Sequence, residues 1–225
     1  MVKAKPSLFG FYKYTHIVYN KSMNVKYTET REEKIRKIAE SQNGTVLASD
    51  LAKLQIPRAY LAIMQKNGEI ERTSRGVYRL ADAIEDELFS FQSRHKACVY
   101  SHGTALFLHD LTDRTPLFFT VTVPAGYHSH SLNTSGNKVF YIHRRLSTLG
   151  VVSIPSPHGN SIMVTDLERT ICDIVRSRNQ LDPQYLGESL RRYVAKKEKD
   201  INRLYKYARS FRILRLVRDY IEVLL

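Results

Sequence analysis

The chain has 225 residues, room for one or two domains, and its 43% hydrophobic and 25% charged content excludes wholesale disorder. Lysine and arginine outnumber aspartate and glutamate 35 to 22, for a net charge of +13, which points to a polyanionic partner: nucleic acid or an anionic membrane surface. No apolar run approaches the ~20 residues of a spanning helix, and Lys13 and His16 interrupt the aromatic stretch Leu8–Tyr19, so neither membrane anchoring nor a signal peptide is expected.

The charge is uneven. Residues 1–28 carry five lysines and no acid, while residues 181–225 hold eleven basic against six acidic residues. With no tryptophan, the core must come from Leu, Ile, Val, Tyr and Phe. Cys98 and Cys172 are far apart and have small or apolar neighbours, which reads as buried free thiols in a reducing cytoplasm.

In chain order, residues 1–28 lack a steady period and read as a peripheral extension, with Met23 an alternative start. Thr30-Arg31-Glu32-Glu33 fits a capping box, followed by Ile35, Ile38 and Ala39 at helical spacing and a stop at Asn43-Gly44. Thr45-Val46-Leu47 is short and strand-like, and Ser49 is placed to cap a second helix carrying Leu51, Ala52 and Leu54. Pro57 suits the first turn of a third helix that runs to about Asn67, with Gly68 as its stop. Ile70 and Val77-Tyr78-Arg79-Leu80 flank the turn Thr73-Ser74-Arg75-Gly76 as a hairpin.

Three short helices and a hairpin within about fifty residues is the layout of a winged helix-turn-helix. The third helix then enters the major groove and the hairpin rests on the backbone or minor groove. Tyr60, Leu61 and Met64 should face inward, leaving Arg58, Ala62, Gln65 and Lys66 outward. The expected DNA contacts are Thr45, Ser49, Arg58, Ala62, Lys66, Arg72, Ser74 and Arg75. Arg58 leads, because residues near the N-terminus of a recognition helix meet base edges. Such folds also serve as protein–protein modules, and that alternative stays open.

A linking helix is expected from Ile84 to about Gln92. Strands follow at Leu117–Val123, Val139–His143 and Ser161–Val164, and Thr165-Asp166 opens a helix. Three apolar helical faces close the chain: Leu186/Leu190/Tyr193/Val194, Ile201/Leu204/Tyr205/Ala208, and Ile213 through Leu224. The fold class is therefore α+β, with residues 29–81 as the winged helix, 82–96 as the linker and 97–225 as a mixed α+β domain ending in helices. Arg191, Arg192, Lys196, Lys197, Arg203 and Arg209 form a C-terminal basic face, which is either a solvated surface or a second binding face.

These segments, in order, resemble the AbiEi antitoxins of abortive-infection type IV toxin–antitoxin systems. The resemblance runs from about Glu29 to the C-terminus. It rests on Gly68-Glu69-Ile70-Glu71-Arg72 with Arg75-Gly76-Val77-Tyr78, on Tyr100-Ser101-His102-Gly103-Thr104-Ala105-Leu106, and on Asp166-Leu167-Glu168-Arg169-Thr170-Ile171-Cys172-Asp173. It implies a repressor of its own two-gene, phage-defence operon, acting at promoter inverted repeats and binding cooperatively from a monomer. It also implies a C-terminal domain that opposes a nucleotidyltransferase-like toxin without a stable complex. The residues of the last motif have a structural reading: Asp166 as a helix cap, and Glu168, Arg169, Thr170 and Asp173 in internal bonds and ion pairs.

Enzymatic readings are weaker. His128 and His130 flank Ser129 and could share one side of a strand, but there is no zinc-spaced Cys pair and no His-Glu-x-x-His. His102 and His109 fall on one expected helix with Ala105, Leu106 and Leu108 and read as partly buried histidines. No metal, cofactor or catalytic residue is expected. The remaining alternatives are a winged-helix regulator with a ligand- or protein-sensing domain and no toxin, and a nucleic-acid-processing enzyme.

Overall fold

A computed structural model describes residues 29–127, 132 and 136–224, and Arg31–Leu225 form one compact unit. The N-terminal extension, and with it Met23, lies outside the described residues, as does the His128/His130 pair.

Helix α1 (Arg31–Ser41) buries Ile35 and Ala39, one turn apart. Asn43 and Gly44 then take positive φ, +48° and +85°, and turn the chain into β1 (Thr45–Leu47). Gly44 admits no side chain, because a Cβ there would lie 2.2 Å from that of Ala83. Helix α2 (Ala48–Lys53) is not capped by Ser49: Leu47 holds the N-cap position in an extended conformation without a side-chain bond. The end needs no hydroxyl there, since the Ala48 amide is donated to the Gly76 carbonyl at 2.9 Å. Helix α3 (Ala59–Lys66) follows, with Arg58 at its N-cap, and Gly68 at φ +74° leads into β2 (Ile70–Ser74). Strand β3 (Val77–Leu80) returns antiparallel after Gly76, and the three-stranded sheet has the order β1-β3-β2. A register break between Arg72 and Ser74 bends the hairpin tip. Ile35, Leu51, Leu61, Met64 and Ile70 form the small core beneath.

Helix α4 (Glu87–Arg94) starts two to three residues later than the sequence suggests, because Asp86 is its cap and accepts the Phe89 amide at 3.0 Å. The same buried carboxylate accepts Ser156 Oγ at 2.5 Å and Asn160 Nδ2 at 2.9 Å. Gln92 on α4 clamps the second sheet, donating to the Cys98 and Met163 carbonyls at 2.9 Å and accepting the Met163 amide at 2.6 Å.

That sheet comprises β4 (Val99–Tyr100), β5 (Thr120–Pro124), β6 (Lys138–Ile142), β7 (Val151–Pro155) and β8 (Ser161–Thr165), in the order β6-β5-β4-β8-β7. It is mixed: β6 runs parallel to β5 and β8 parallel to β4, while the other two pairings are antiparallel. The expected strand from Leu117 begins only at Thr120. Leu117 is 97% exposed and Phe118 half exposed, because Asn137 Oδ1 takes the Phe119 amide and the pairing starts there.

Helix α5 (His102–Leu108) covers the sheet, and α6 (Leu167–Arg176), α7 (Pro183–Ala195), α8 (Ile201–Ser210) and α9 (Leu214–Glu222) complete a mixed α+β architecture. The three C-terminal faces read from the sequence bury Leu186, Leu190, Tyr193, Leu204, Ala208, Val217 and Ile221 in one cluster with α6. Cys98 and Cys172 are free and buried, and burial pushes the Cys98 thiol up to about 12. No helix among the described residues is long and apolar enough to cross a membrane.

Candidate nucleic-acid interface

Helix α3 is short, and its two sides differ sharply. Leu61 and Met64 are buried, and Tyr60 is half-buried with its hydroxyl accepting from Arg31 at 3.2 Å. Ala59, Ala62, Ile63, Gln65 and Lys66 are exposed, as is Arg58 at the N-cap. The helix therefore packs through one stripe and offers the rest to solvent.

The cations divide into two sets. Arg36 pairs with Glu69 at 2.8 Å, Lys53 with Asp50 at 2.9 Å and Arg79 with Glu71 at 2.5 Å. Arg58, Lys66, Arg72 and Arg75 pair with no carboxylate among the described residues, and all four are exposed. Among the described residues Arg72 Nε donates to the Ser74 carbonyl alone, at 3.3 Å. Such unpaired cations at a helix start, a helix end and a hairpin tip can neutralise phosphates without first breaking an ion pair. Ser49 is exposed on α2, whereas the Ser74 hydroxyl beside Arg75 is buried and has no partner among the described residues. Thr45 is 2% exposed, inside β1 opposite Arg79, so its side chain is packed in the core and faces no ligand.

The C-terminal cations divide in the same way. Arg192 is bound by Asp113 and by Glu188 at 2.8 Å. Lys196 lies 3.5 Å from Glu198, and Arg203 lies 3.5 Å from Asp200 and 3.7 Å from Glu168. Arg191, Lys197 and Arg209 are exposed and pair with no described carboxylate.

The Asp166–Asp173 motif lies inside the fold. Asp166 caps α6, accepting the Arg169 amide at 2.7 Å, and also accepts the Tyr207 hydroxyl at 3.0 Å. Glu168 accepts the Asp200 amide at 2.8 Å and the Tyr193 hydroxyl at 3.3 Å. Arg169 is 0% exposed: its Nε donates to Asp173 at 2.9 Å, and its Nη1 donates to the Leu146 and Leu149 carbonyls at 3.1 and 2.6 Å. Its guanidinium stacks over Phe211, with 4.6 Å to the ring centre. Thr170 closes onto the Thr165 carbonyl at 3.1 Å. Gly150, at φ +64°, makes room for this clamp, since a Cβ there would lie 2.7 Å from that of Arg169. Burial pushes the Asp173 carboxyl up, against the pull of Arg169 and Arg176.

His102 and His109 are also internal. His102 bonds Ser101 Oγ at 2.9 Å and Ser177 Oγ at 3.1 Å and stacks on Phe140. Burial, with Arg176, Arg169 and Lys138 nearby, holds its pKa down to about 3. His109 Nε2 donates to the Thr165 carbonyl at 2.6 Å, and burial lowers its pKa as well. A cleft of about 350 Å³ between His109, Asp166, Glu168, Lys196 and Arg203 mixes both signs of charge. No cluster of three or more potential metal ligands occurs among the described residues.

The N-terminal module therefore combines a small apolar core with exposed cations that pair with no described carboxylate. Residues 33–81 match the family model described as transcriptional regulator, AbiEi antitoxin, the family that the sequence motifs resemble. Among solved structures, the crystal structure of the RV2827C protein from Mycobacterium tuberculosis is similar with a TM-score of 0.55 and 13% identity, over 85% of this chain and 80% of that one. At that identity the likeness is one of fold. No curated protein matches the chain.

Three residues of the outward α3 face, Ala59, Ile63 and Gln65, lie outside the list of expected contacts. Gln65 was placed on the correct side of the helix without a role. Ile63 has neither a core nor a contact role in the sequence pattern; its position 200° round the helix from Leu61 separates it from the buried stripe.

Proposed function

We propose that this chain is an antitoxin and transcriptional autorepressor of a type IV, abortive-infection operon. Residues 29–81 act as a winged helix-turn-helix, with α3 in the major groove and the β2–β3 hairpin as the wing. Arg58, Ala62, Lys66, Arg72 and Arg75 contact promoter inverted repeats, with Ser49 at the edge; Thr45 and the Ser74 hydroxyl drop out because they are buried. The observation that carries the reading is the set of four exposed cations, without carboxylate partners among the described residues, around an exposed helix face within the segment that matches the regulator family. Arg191, Lys197 and Arg209 add sequence-independent attraction to phosphate, and residues 97–225 oppose a nucleotidyltransferase-like toxin without a stable complex. The protein is cytoplasmic, is a monomer in solution and binds cooperatively on DNA.

The test is binding of the full chain to the DNA just upstream of its gene, over a salt series, against scrambled DNA of equal length. A preference of ~10³ or more, falling steeply with salt, is expected. Equal binding to both duplexes overturns the repressor reading. Expression of an adjacent nucleotidyltransferase-like gene should arrest growth, and this chain should restore it without co-purifying. The polar cleft beside Glu168 favours a second reading, a regulator with a ligand-sensing domain, which an unrelated adjacent gene would support.

A further inference from the structure

We infer that the outward face of α3 reads A·T base pairs, with Gln65 as the adenine reader and Ala62 and Ile63 as a surface for thymine methyl groups. The inference rests on the proposed role of α3 as the DNA-reading helix and specifies what that helix reads.

The exposed positions of α3 are chemically narrow. Ala59, Ala62 and Ile63 carry no polar side-chain atom, and Ile63 is 46% exposed although it is a residue that burial favours. Of the helix's outward side chains, only Gln65 holds a donor and an acceptor side by side, and it makes no side-chain bond to any described residue. That amide matches the N6–N7 edge of adenine in the major groove, while aliphatic side chains suit the thymine 5-methyl group. This face carries no carboxylate, the usual acceptor for cytosine N4. Lys66 and Arg58, which could reach guanine, lie at the two ends of the helix, where phosphates are also within reach.

The spacing supports one continuous footprint. Ala62 and Gln65 are i, i+3 neighbours, and Ala59 and Ile63 are i, i+4 neighbours, so their Cβ atoms stand about 5–6 Å apart. Base pairs stack at about 3.4 Å, so these side chains address adjacent or next-adjacent pairs. A contact between two copies of the chain through the same apolar patch is disfavoured by its rim. A two-fold arrangement would bring the unpaired Arg58 and Lys66 of one copy towards those of the other.

Selection of duplexes from a random pool by the full wild-type chain, followed by affinity measurement, separates the possibilities. The expected result is a selected site with an A·T core. Replacing its thymines by deoxyuridine, which removes only the 5-methyl group, should weaken binding by about fourfold per contacted methyl. Ile63→Ser should lose that sensitivity at one position or more. Gln65→Ala should lose about 5- to 150-fold at one adenine and leave binding to unselected DNA unchanged. A selected core of G·C pairs, or equal affinity for thymine and deoxyuridine duplexes, overturns the inference while leaving α3 a DNA reader. No enrichment over the pool overturns the DNA-reading role itself. A dimer that Ile63→Ser converts to monomer, with DNA binding unaltered, assigns the patch to self-association and also overturns the inference.

Discussion

Helices α3 and α6 are similar in length and both carry charged residues, yet they stand in opposite relations to water. In α3 the buried stripe is narrow, and the cations at its ends are exposed and pair with no carboxylate among the described residues. In α6 burial runs from Glu168 to Val175 without a break, and Arg169 and Asp173 are 0% and 1% exposed. Charge in a sequence therefore has two meanings. Where each charged atom already has an internal partner, it specifies packing; where it has none, it is available to a ligand. The motif that most resembled a functional signature is of the first kind, and the plainer residues of α3 are of the second.

The contrast breaks most visibly at Arg169. Arg169→Ala leaves Asp173 buried without its main partner and should cost about 3–5 kcal/mol of stability in urea denaturation. Combining Arg169→Met with Asp173→Leu should recover most of that loss, because a buried ion pair exchanged for apolar side chains is often neutral. A wild-type-like midpoint for Arg169→Ala would mean that the clamp does not hold α6.

The second effect is a pH dependence. The folded protein holds His102 at about 3, below the ordinary value of 6.5, so the unfolded chain takes up its proton first. The stability contributed by the neutral ring is complete above pH 6.5 and is lost as pH falls towards 3. By pH 5 the loss reaches about 2 kcal/mol. His102→Asn tolerates the positive φ of +46° at this position and should flatten that part of the profile. An unchanged slope in this variant would refute the assignment.

Smaller effects test the exposed set. Arg58→Ala should cost about 1–3 kcal/mol in binding upstream DNA and blur the sequence preference, while stability stays within about 0.5 kcal/mol of wild type. Lys197→Ala should have the least effect, weakening every duplex alike and lowering the salt slope by about one. A change of sequence preference in Lys197→Ala would undo the division of labour between the two ends of the chain.

Much of the fold was legible because its signals are local. The helix at Ile35 and Ala39, the stop at Gly68, the turn at Gly76 and the cap at Asp166 each follow from a few neighbouring residues. The misses are non-local. Strand β4 has two residues and no period of its own; it exists because β5 and β8 flank it. Strand β7 escaped although Val151, Val152 and Ile154 are apolar, because its place is fixed by pairing with β8. The exposed Leu117 misled for the opposite reason, since its apolar run continues where the pairing has stopped. At the candidate interface, α3 and the hairpin were readable as elements. Which cations are free was not, because that depends on Glu69, Glu71 and Asp113, which folding brings to their partners from other elements.

The central claim is that the N-terminal module reads sequence. It is tested most directly by the affinity of wild type and of an Arg58→Ala/Arg75→Ala variant for upstream and scrambled duplexes at one salt concentration. The account predicts that the variant loses at least about tenfold more affinity for the upstream duplex than for the scrambled one. Equal losses on the two duplexes would contradict it, leaving these arginines as contributors of charge alone.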